Sequence, residues 1–366
     1  MNYGVSIMKG YLILLLAVAA LLLLLPLPAL NVLQPDKPPA SDTSSGHTTT
    51  SRTEGSATAL TSASEESSGT THTTAAGDNT ETAAAFRVLD AAADRVVEIS
   101  ERDFIIGTLA AEMYPSYHPE ALKAQAVAAY TYYSWRREQA RAAGDDRTRA
   151  DFSDVPAAFP RFYTAEGLRE RWGGSFDEYY EKLAAAADAV AGKRMVYHGE
   201  PVMAVWHAIS FGNTESAADA WGEDVPYLRS VPADEDKLSP GYQSVVTVTA
   251  DQFKEMVEQK FNVKLTGDAG NWIDLSSVKR SEAGSVAAVT VGEQAVTGAE
   301  MRAALGLRSP AFTIGYDPDS GGVFTFTVSG YGHGVGMSQY GADYMARQDS
   351  DWKEILCYYY TGVEIV

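Results

Sequence analysis

Between Asn31 and Ala85 the chain runs for 55 residues, of which 22 are Ser or Thr and none is aromatic. Such a stretch has nothing with which to build a core, so it reads as a disordered tether. A flexible coil of that length spans roughly 40 Å root-mean-square, and whatever folds must fold on either side of it. On the N-terminal side stands Tyr11 to Leu30, YLILLLAVAALLLLLPLPAL, twenty residues without a charge. At about 1.5 Å per residue this covers roughly 30 Å, the thickness of a bilayer core. A cleaved signal peptide is the rival reading. The length of the run, and the lack of a clear small-x-small site after Pro28, favour a retained transmembrane anchor. Lys9 on the short side predicts residues 1–10 in the cytoplasm and the rest outside it, a single-pass protein of the cell membrane.

The segment 86–366 has the aromatic and aliphatic content of a globular protein and is long enough for one large domain or two small ones. With 29 basic and 48 acidic residues the chain carries a net charge of −19, which argues against nucleic acid and anionic surfaces as partners. Cys357 is the single cysteine, so no intrachain disulfide and no cysteine-rich zinc site can form, and the six histidines lack metal-ligand spacing. Cys357, beside Tyr358 to Tyr360 on an expected C-terminal helix, reads as a buried core residue.

Asp103 to Arg136 is the most informative stretch of the foldable part. Ile105, Ile106, Leu109 and Met113 fall at three- and four-residue spacings and predict a short amphipathic helix closing near Met113. Pro115 and Tyr117 interrupt it. Pro119 suits a helix N1 position, and Leu122, Ala126, Ala129 and Tyr133 give a second helix its buried face. Glu112 then lies in the last turn of the first helix, where the dipole disfavours a further negative charge and apolar neighbours add desolvation. A carboxyl group kept protonated near neutral pH is what general acid catalysis requires, although a solvated helix-end glutamate would give the same pattern.

The remainder predicts an α+β fold. Residues 142–162 read as a loop, and Ser175 with Glu178 as a capping box opening a helix to about Ala191. Arg194–Tyr197 and Val202–His207 read as strands flanking a hairpin turn at 198–201. Ser244–Thr249, Val286–Val291, Ala311–Tyr316 and Val323–Val328 read as strands, Asp251–Phe261 as a helix, and Thr297 with Glu300 as a capping box. Residues 244–329 could therefore form a smaller β-rich lobe. Two further stretches carry candidate chemistry. In Ala204–Val231 the polar residues His207, Ser210, Asn213, Thr214 and Glu215 crowd beside Trp206 and Trp221, which offer flat surfaces of the kind sugars pack on. An ordinary turn is the plainer reading. In Tyr331–Ala342, YGHGVGMSQYGA, four glycines surround His333 before a helix that starts near Met337 or Ser338. The spacing is not that of a phosphate loop, so a close approach to a ligand or to another chain segment is expected.

Taken together, AAEMYPSYHPEALKAQAVAAYTY at 110–132, WHAISFGNTESAADAWGEDVPYLRSV at 206–231 and GHGVGMSQYGADYMA at 332–346 resemble the SpoIID/LytB family over most of 99–366. The resemblance implies a peptidoglycan lytic transglycosylase acting on glycan strands freed of stem peptides, with the catalytic glutamate of the A-A-E-M motif at Glu112. It further implies Gln125, Tyr130, His207, Ser210, His333, Gln339 and Tyr340 as candidate saccharide-binding residues, no cofactor, and a possible cell-wall amidase as partner. Relatives with a zinc site place Cys and His in the loop after the elbow. Residues 145–163 contain neither, so no metal is expected. Ala128-Ala129-Tyr130-Thr131-Tyr132 stands where many relatives have A-A-R-T-Y, and His207-Ala208-Ile209-Ser210-Phe211-Gly212 where they tend to read H-S-T-S-G-G. The alternative from the same family is a non-catalytic glycan-binding enhancer of an amidase, and a third reading is a tethered adhesion or scaffolding protein.

Overall fold

A computed structural model describes residues 85–90, 95–142, 150–153 and 162–366. The expected membrane span, and the tether as far as residue 84, lie outside the described residues. Among those described, no helix is long and apolar enough to cross a membrane.

The described chain opens on an antiparallel hairpin, β1 (Ala85–Asp90) with β2 (Arg95–Ser100). The Ser100 side chain accepts from the Asp103 amide and so caps helix α1 (Glu101–Glu112). The stripe Ile105, Ile106, Leu109 and Met113 is buried as its spacing requires. Met113 closes α1 in extended conformation, and Pro119 opens α2 (Pro119–Ala142). This is the expected elbow. Leu122, Ala126, Ala129 and Tyr133 face inward from α2, and full burial of a side chain such as Leu122 contributes roughly 1.5–3 kcal/mol. The segment read as a plain loop contains a strand, β3 (Phe152–Ser153), parallel to β1. It is there because Phe152 joins Phe86, Phe104 and Tyr133 in one aromatic cluster.

Helices α3 (Ala165–Trp172) and α4 (Phe176–Ala189) follow. Ser175 precedes α4 but makes no capping bond, contrary to the sequence pattern. A 3₁₀ turn at Gly173–Ser175 leads straight into the helix and leaves Ser175 at φ −92°, ψ 1°, outside the extended conformation a capping side chain needs. β4 (Met195–Tyr197) and β5 (Glu200–Pro201) form the hairpin around His198 and Gly199, both at positive φ as a two-residue turn demands. The expected strand over 202–207 is broken. Its last two residues form a separate strand, β6 (Trp206–His207), with a different partner.

After α5 (Ala217–Trp221), residues 243–329 carry strands β7 (Gln243–Thr249), β8 (Ile273–Arg280), β9 (Val286–Val291), β10 (Gln294–Val296), β11 (Phe312–Asp317) and β12 (Val323–Ser329), with helices α6 (Ala250–Phe261) and α7 (Gly298–Leu305). β11, β12 and β7 make one antiparallel sheet, and β10, β9 and β8 another. Phe253, Phe324, Phe326, Val289 and Met301 form a core here separate from the cluster around α1 and α2. Thr297 and Glu300 make the expected capping box, and Thr249 with Gln252 makes a second.

The chain then returns through β13 (Met337–Ser338), parallel to β6, into α8 (Gln339–Arg347), α9 (Trp352–Tyr359) and β14 (Glu364–Ile365), which pairs with β4. α2 is the hub, packed against α1, α4, α8 and α9. Its run of buried alanines from Ala121 to Ala129 lets those helices approach closely. Cys357 is exposed, not buried. On α9 the inward face is Ile355, Leu356 and Tyr359, and Cys357 falls on the other side.

Candidate functional site

Glu112 is the last residue of α1, half-buried at the elbow. The indole Nε1 of Trp206 donates to its Oε2 at 3.0 Å. That indole is held in turn edge-on against Tyr132 and Tyr133, with ring centroids 5.8 and 6.4 Å away. Burial, with charge from Tyr132 and Glu112, holds the Tyr133 phenol well above its ordinary pKa, so it stays neutral. On the outer side Tyr114 is 56% exposed, with Tyr117 next to it at 6.0 Å. The carboxylate thus has one oxygen fixed by an indole donor that is itself packed on two tyrosines.

Trp206 and His207 are consecutive in β6, so their side chains leave on opposite faces. The His207 Nδ1 lies 3.1 Å from the Val335 carbonyl oxygen. Since a carbonyl only accepts, Nδ1 carries the proton and Nε2 is a bare acceptor, buried with no hydrogen-bond partner. Burial lowers the His207 pKa to about 4. His333 is 5.9 Å from it, centroid to centroid. The His333 Nδ1 accepts from the Val335 amide, which puts the neutral ring's proton on Nε2. Burial, then the charges of His207 and Arg302, lower the His333 pKa to about 3. Trp221 lies 5.7 Å from the His333 ring. Two neutral imidazoles and an indole therefore meet here.

The glycines of 332–336 approach a chain segment, as one of the sequence readings anticipated. A Cβ on Gly336, at φ +73°, would run into the Val205 carbonyl oxygen. The bare backbone is what allows β13 to lie along β6.

Sequence reasoning missed Asp236. It comes from a short 3₁₀ turn, is wholly buried, and its Oδ2 accepts from the Ser210 amide, the Ser210 hydroxyl (2.6 Å) and the Ser338 hydroxyl (2.6 Å). Burial raises its pKa, and the bonds from Ser210 and Ser338 partly offset the shift. Asp236 therefore ties the 206–212 stretch to the start of α8. Within an acidic run, Asp234-Glu235-Asp236, it carried no pattern that separates it from its solvated neighbours.

The remaining candidates lie as follows. Gln125 and Gln339 are buried and meet each other, Gln339 Nε2 donating to Gln125 Oε1 at 3.3 Å. Tyr340 is half-buried, its amide bonded to the Ala208 carbonyl. Burial, with charge from Asp236 and Asp343, raises its phenol pKa. Tyr130 packs on Phe86 and interacts with Glu101, at the opposite end of α1 from Glu112 and roughly 16 Å along the helix. The fold does not bring Tyr130 to Glu112. Glu215 is buried and accepts from Ser281 (2.9 Å) and Ser285, so it ties the 206–231 stretch to the 243–329 segment. Among the described residues, no three of His, Cys, Asp and Glu are grouped to hold a metal ion.

A family model for stage II sporulation protein, SpoIID, matches residues 90–197, which include Glu112 and both helices of the elbow. Stage II sporulation protein D of Bacillus subtilis (strain 168) is 34% identical over 271 residues, 74% of this chain and 75% of that protein. This chain belongs to the stage II sporulation protein D family. Another member, from Bacillus amyloliquefaciens, is 35% identical over 271 residues, again 74% of this chain and 75% of the relative. More distantly, the amidase enhancer of B. subtilis (strain 168) is 25% identical over 307 residues, 71% of this chain but 40% of that protein. Membership of the SpoIID family connects the chain to sporulation and places the A-A-E-M glutamate inside the matched region.

Proposed function

We propose that this chain is a membrane-anchored lytic transglycosylase that cleaves peptide-stripped peptidoglycan strands between MurNAc and GlcNAc. In this reading Glu112 protonates the glycosidic oxygen leaving MurNAc C1, then takes the proton of the MurNAc 6-hydroxyl as that oxygen closes a 1,6-anhydro ring. The bond to the leaving sugar breaks and the bond from O6 to C1 forms; the proton given departs on the leaving sugar's hydroxyl, and the proton taken from O6 returns Glu112 to its acid form. Glycosidases that use water or an enzyme nucleophile require two carboxyl groups. Here the substrate supplies the nucleophile, so one carboxyl that turns from acid to base suffices.

The observation that carries the reading is the Trp206–Glu112 hydrogen bond, 3.0 Å long. It fixes one oxygen of a carboxyl group at the C-terminal end of a helix, beside an indole packed on Tyr132 and Tyr133. Tyr114, two residues further along the chain and exposed, is suited to stack on a sugar ring. Residues 11–30 would anchor the protein and 31–85 would give it reach, with the folded part outside the cytoplasm. Incubating the purified full chain and its Glu112→Gln variant with peptide-stripped strands, followed by mass spectrometry of the strand ends, tests this. Anhydro ends from the parent alone support it.

The similarity to an amidase enhancer favours one second reading, a glycan-binding partner of a cell-wall amidase without chemistry of its own. Strands bound equally by parent and variant but cut by neither would establish that reading instead.

A further inference from the structure

Arg280, the last residue of β8, carries a charge that no described residue neutralises. Its Nη1 donates to the Gly284 carbonyl at 2.9 Å and its Nη2 to the Phe312 carbonyl at 2.7 Å. Carbonyls accept a hydrogen bond but bear no net charge, so the guanidinium is held in place and remains a full cation. Arg102, Arg137 and Arg347 each hold a carboxylate, whereas among the described residues none is paired with Arg280. Glu282, in the turn that follows, is exposed and makes no ion pair with it. Arg280 borders a cavity of about 180 Å³. Solvent reaches this space past Arg280 and Thr313, both of them exposed. Phe211 and Phe312 line its apolar side, and Thr313, Thr327 and Ser329 bring hydroxyls to it. Thr313 and Thr327 stand opposite each other on β11 and β12.

The chemistry of an occupant follows from these walls. The two carbonyl bonds leave the guanidinium with N–H donors to spare, and a planar carboxylate meets such donors in charge-assisted bonds. The chain's net charge of −19 repels a group of high negative charge, which favours a single carboxylate. Hydroxyls on one side of the cation and phenylalanine on the other suit a carboxylate on a body that is part polar and part apolar. On the reading that this chain acts on stripped strands, such a group is at hand. Removing a stem peptide frees the lactyl carboxylate of MurNAc, which sits beside a methyl group and a sugar ring. Phe211 belongs to the same stretch as Trp206, so the cavity and the catalytic elbow share a segment of chain. We propose that this cavity binds the lactyl carboxylate of a stripped strand on Arg280, at a site separate from Glu112.

The test titrates the purified full chain calorimetrically with N-acetylmuramic acid and, separately, with N-acetylglucosamine, which lacks the lactyl group, and with sodium acetate, which lacks the sugar. Saturable binding of N-acetylmuramic acid, at least about tenfold tighter than either control and weakened by added sodium chloride, is expected. Arg280→Gln removes the cation but also its bonds to the Gly284 and Phe312 carbonyls. Thr313→Glu and Thr313→Gln leave those bonds in place, and the two new side chains have the same shape and differ in charge. Glutamate offers Arg280 a carboxylate of its own, so Thr313→Glu should bind N-acetylmuramic acid at least about tenfold more weakly than Thr313→Gln, with the parent's circular dichroism spectrum in both. Equal affinity for N-acetylglucosamine, acetate bound as tightly as N-acetylmuramic acid, or equal binding by the two Thr313 variants would each overturn the proposal. Glu112→Gln should bind as the parent does. Binding lost there would assign the sugar to Glu112 and overturn the separate site. None of these titrations requires strand cleavage, so a parent that binds without cutting contradicts the transglycosylase reading and leaves the Arg280 site standing.

Discussion

Trp206 and Glu112 stand 94 positions apart in the chain and are joined by a 3.0 Å hydrogen bond from indole to carboxylate. The elbow between α1 and α2 supplies the carboxylate, and a two-residue strand paired to β13 supplies the indole that holds it. The bond ties two of the three sequence motifs, and the β6–β13 pairing ties in the third.

Replacing Trp206 by Phe keeps the ring packing on Tyr132 and Tyr133 and deletes the donor. A hydrogen bond to a charged group is worth about 1.5–3 kcal/mol, so strand cleavage should slow roughly tenfold to hundredfold, with the melting temperature little changed. Rates measured on the same stripped strands check this. Unchanged turnover would remove Trp206 from the account.

His207 ties stability to pH. Its folded pKa of about 4 lies below the ordinary 6.5, so between those values the unfolded chain binds the proton that the folded chain refuses. Stability from this group is therefore complete above pH 6.5 and is lost as pH falls toward 4. The loss is about 3 kcal/mol, and His333 acts in the same direction. Urea unfolding of the parent and of His207→Gln at pH 7 and pH 4.5 should show a smaller drop in the variant. Equal drops would mean that His207 is charged in the fold.

Gly336→Ala should cost more than about 2 kcal/mol, because the new methyl would meet the Val205 carbonyl at a backbone angle of φ +73° that L-residues rarely adopt. Thermal melting of the variant measures it. A stable Gly336→Ala would show that β6 and β13 can separate without consequence.

Cys357 lies on the outer face of α9. Its thiol should react with a maleimide in the native protein, and Cys357→Ser should change stability by no more than about 0.5 kcal/mol. A thiol that reacts only after unfolding would contradict the exposed position.

Local signals were legible in the sequence and long-range ones were not. The end of α1 and the start of α2 follow from Pro115, Pro119 and a stripe at helical spacing, all within thirty residues, and the Thr297–Glu300 box needs only four. Ser175 shows the limit of such patterns, since the box also needs an extended backbone, and a preceding 3₁₀ turn denies it. Cys357 was misjudged by residue type, although the spacing of Ile355, Leu356 and Tyr359 already points it outward. Trp206 stood out as an aromatic beside polar residues, but its partner is set by how β6 lies against the elbow. Asp236 gave no signal, because nothing in an acidic run marks which carboxylate the fold will bury. Glycines 332–336 announced a close approach without naming the segment approached.

In the proposed reaction Glu112 alone, with the substrate's own hydroxyl as nucleophile, breaks the glycosidic bond. Cleaving peptide-stripped strands with the full chain in water enriched in oxygen-18 tests it most directly. New MurNAc ends in the anhydro form, free of the heavy isotope and absent with Glu112→Gln, are expected. Reducing ends carrying oxygen-18 would contradict it, because they would require water as nucleophile and a second group to activate it.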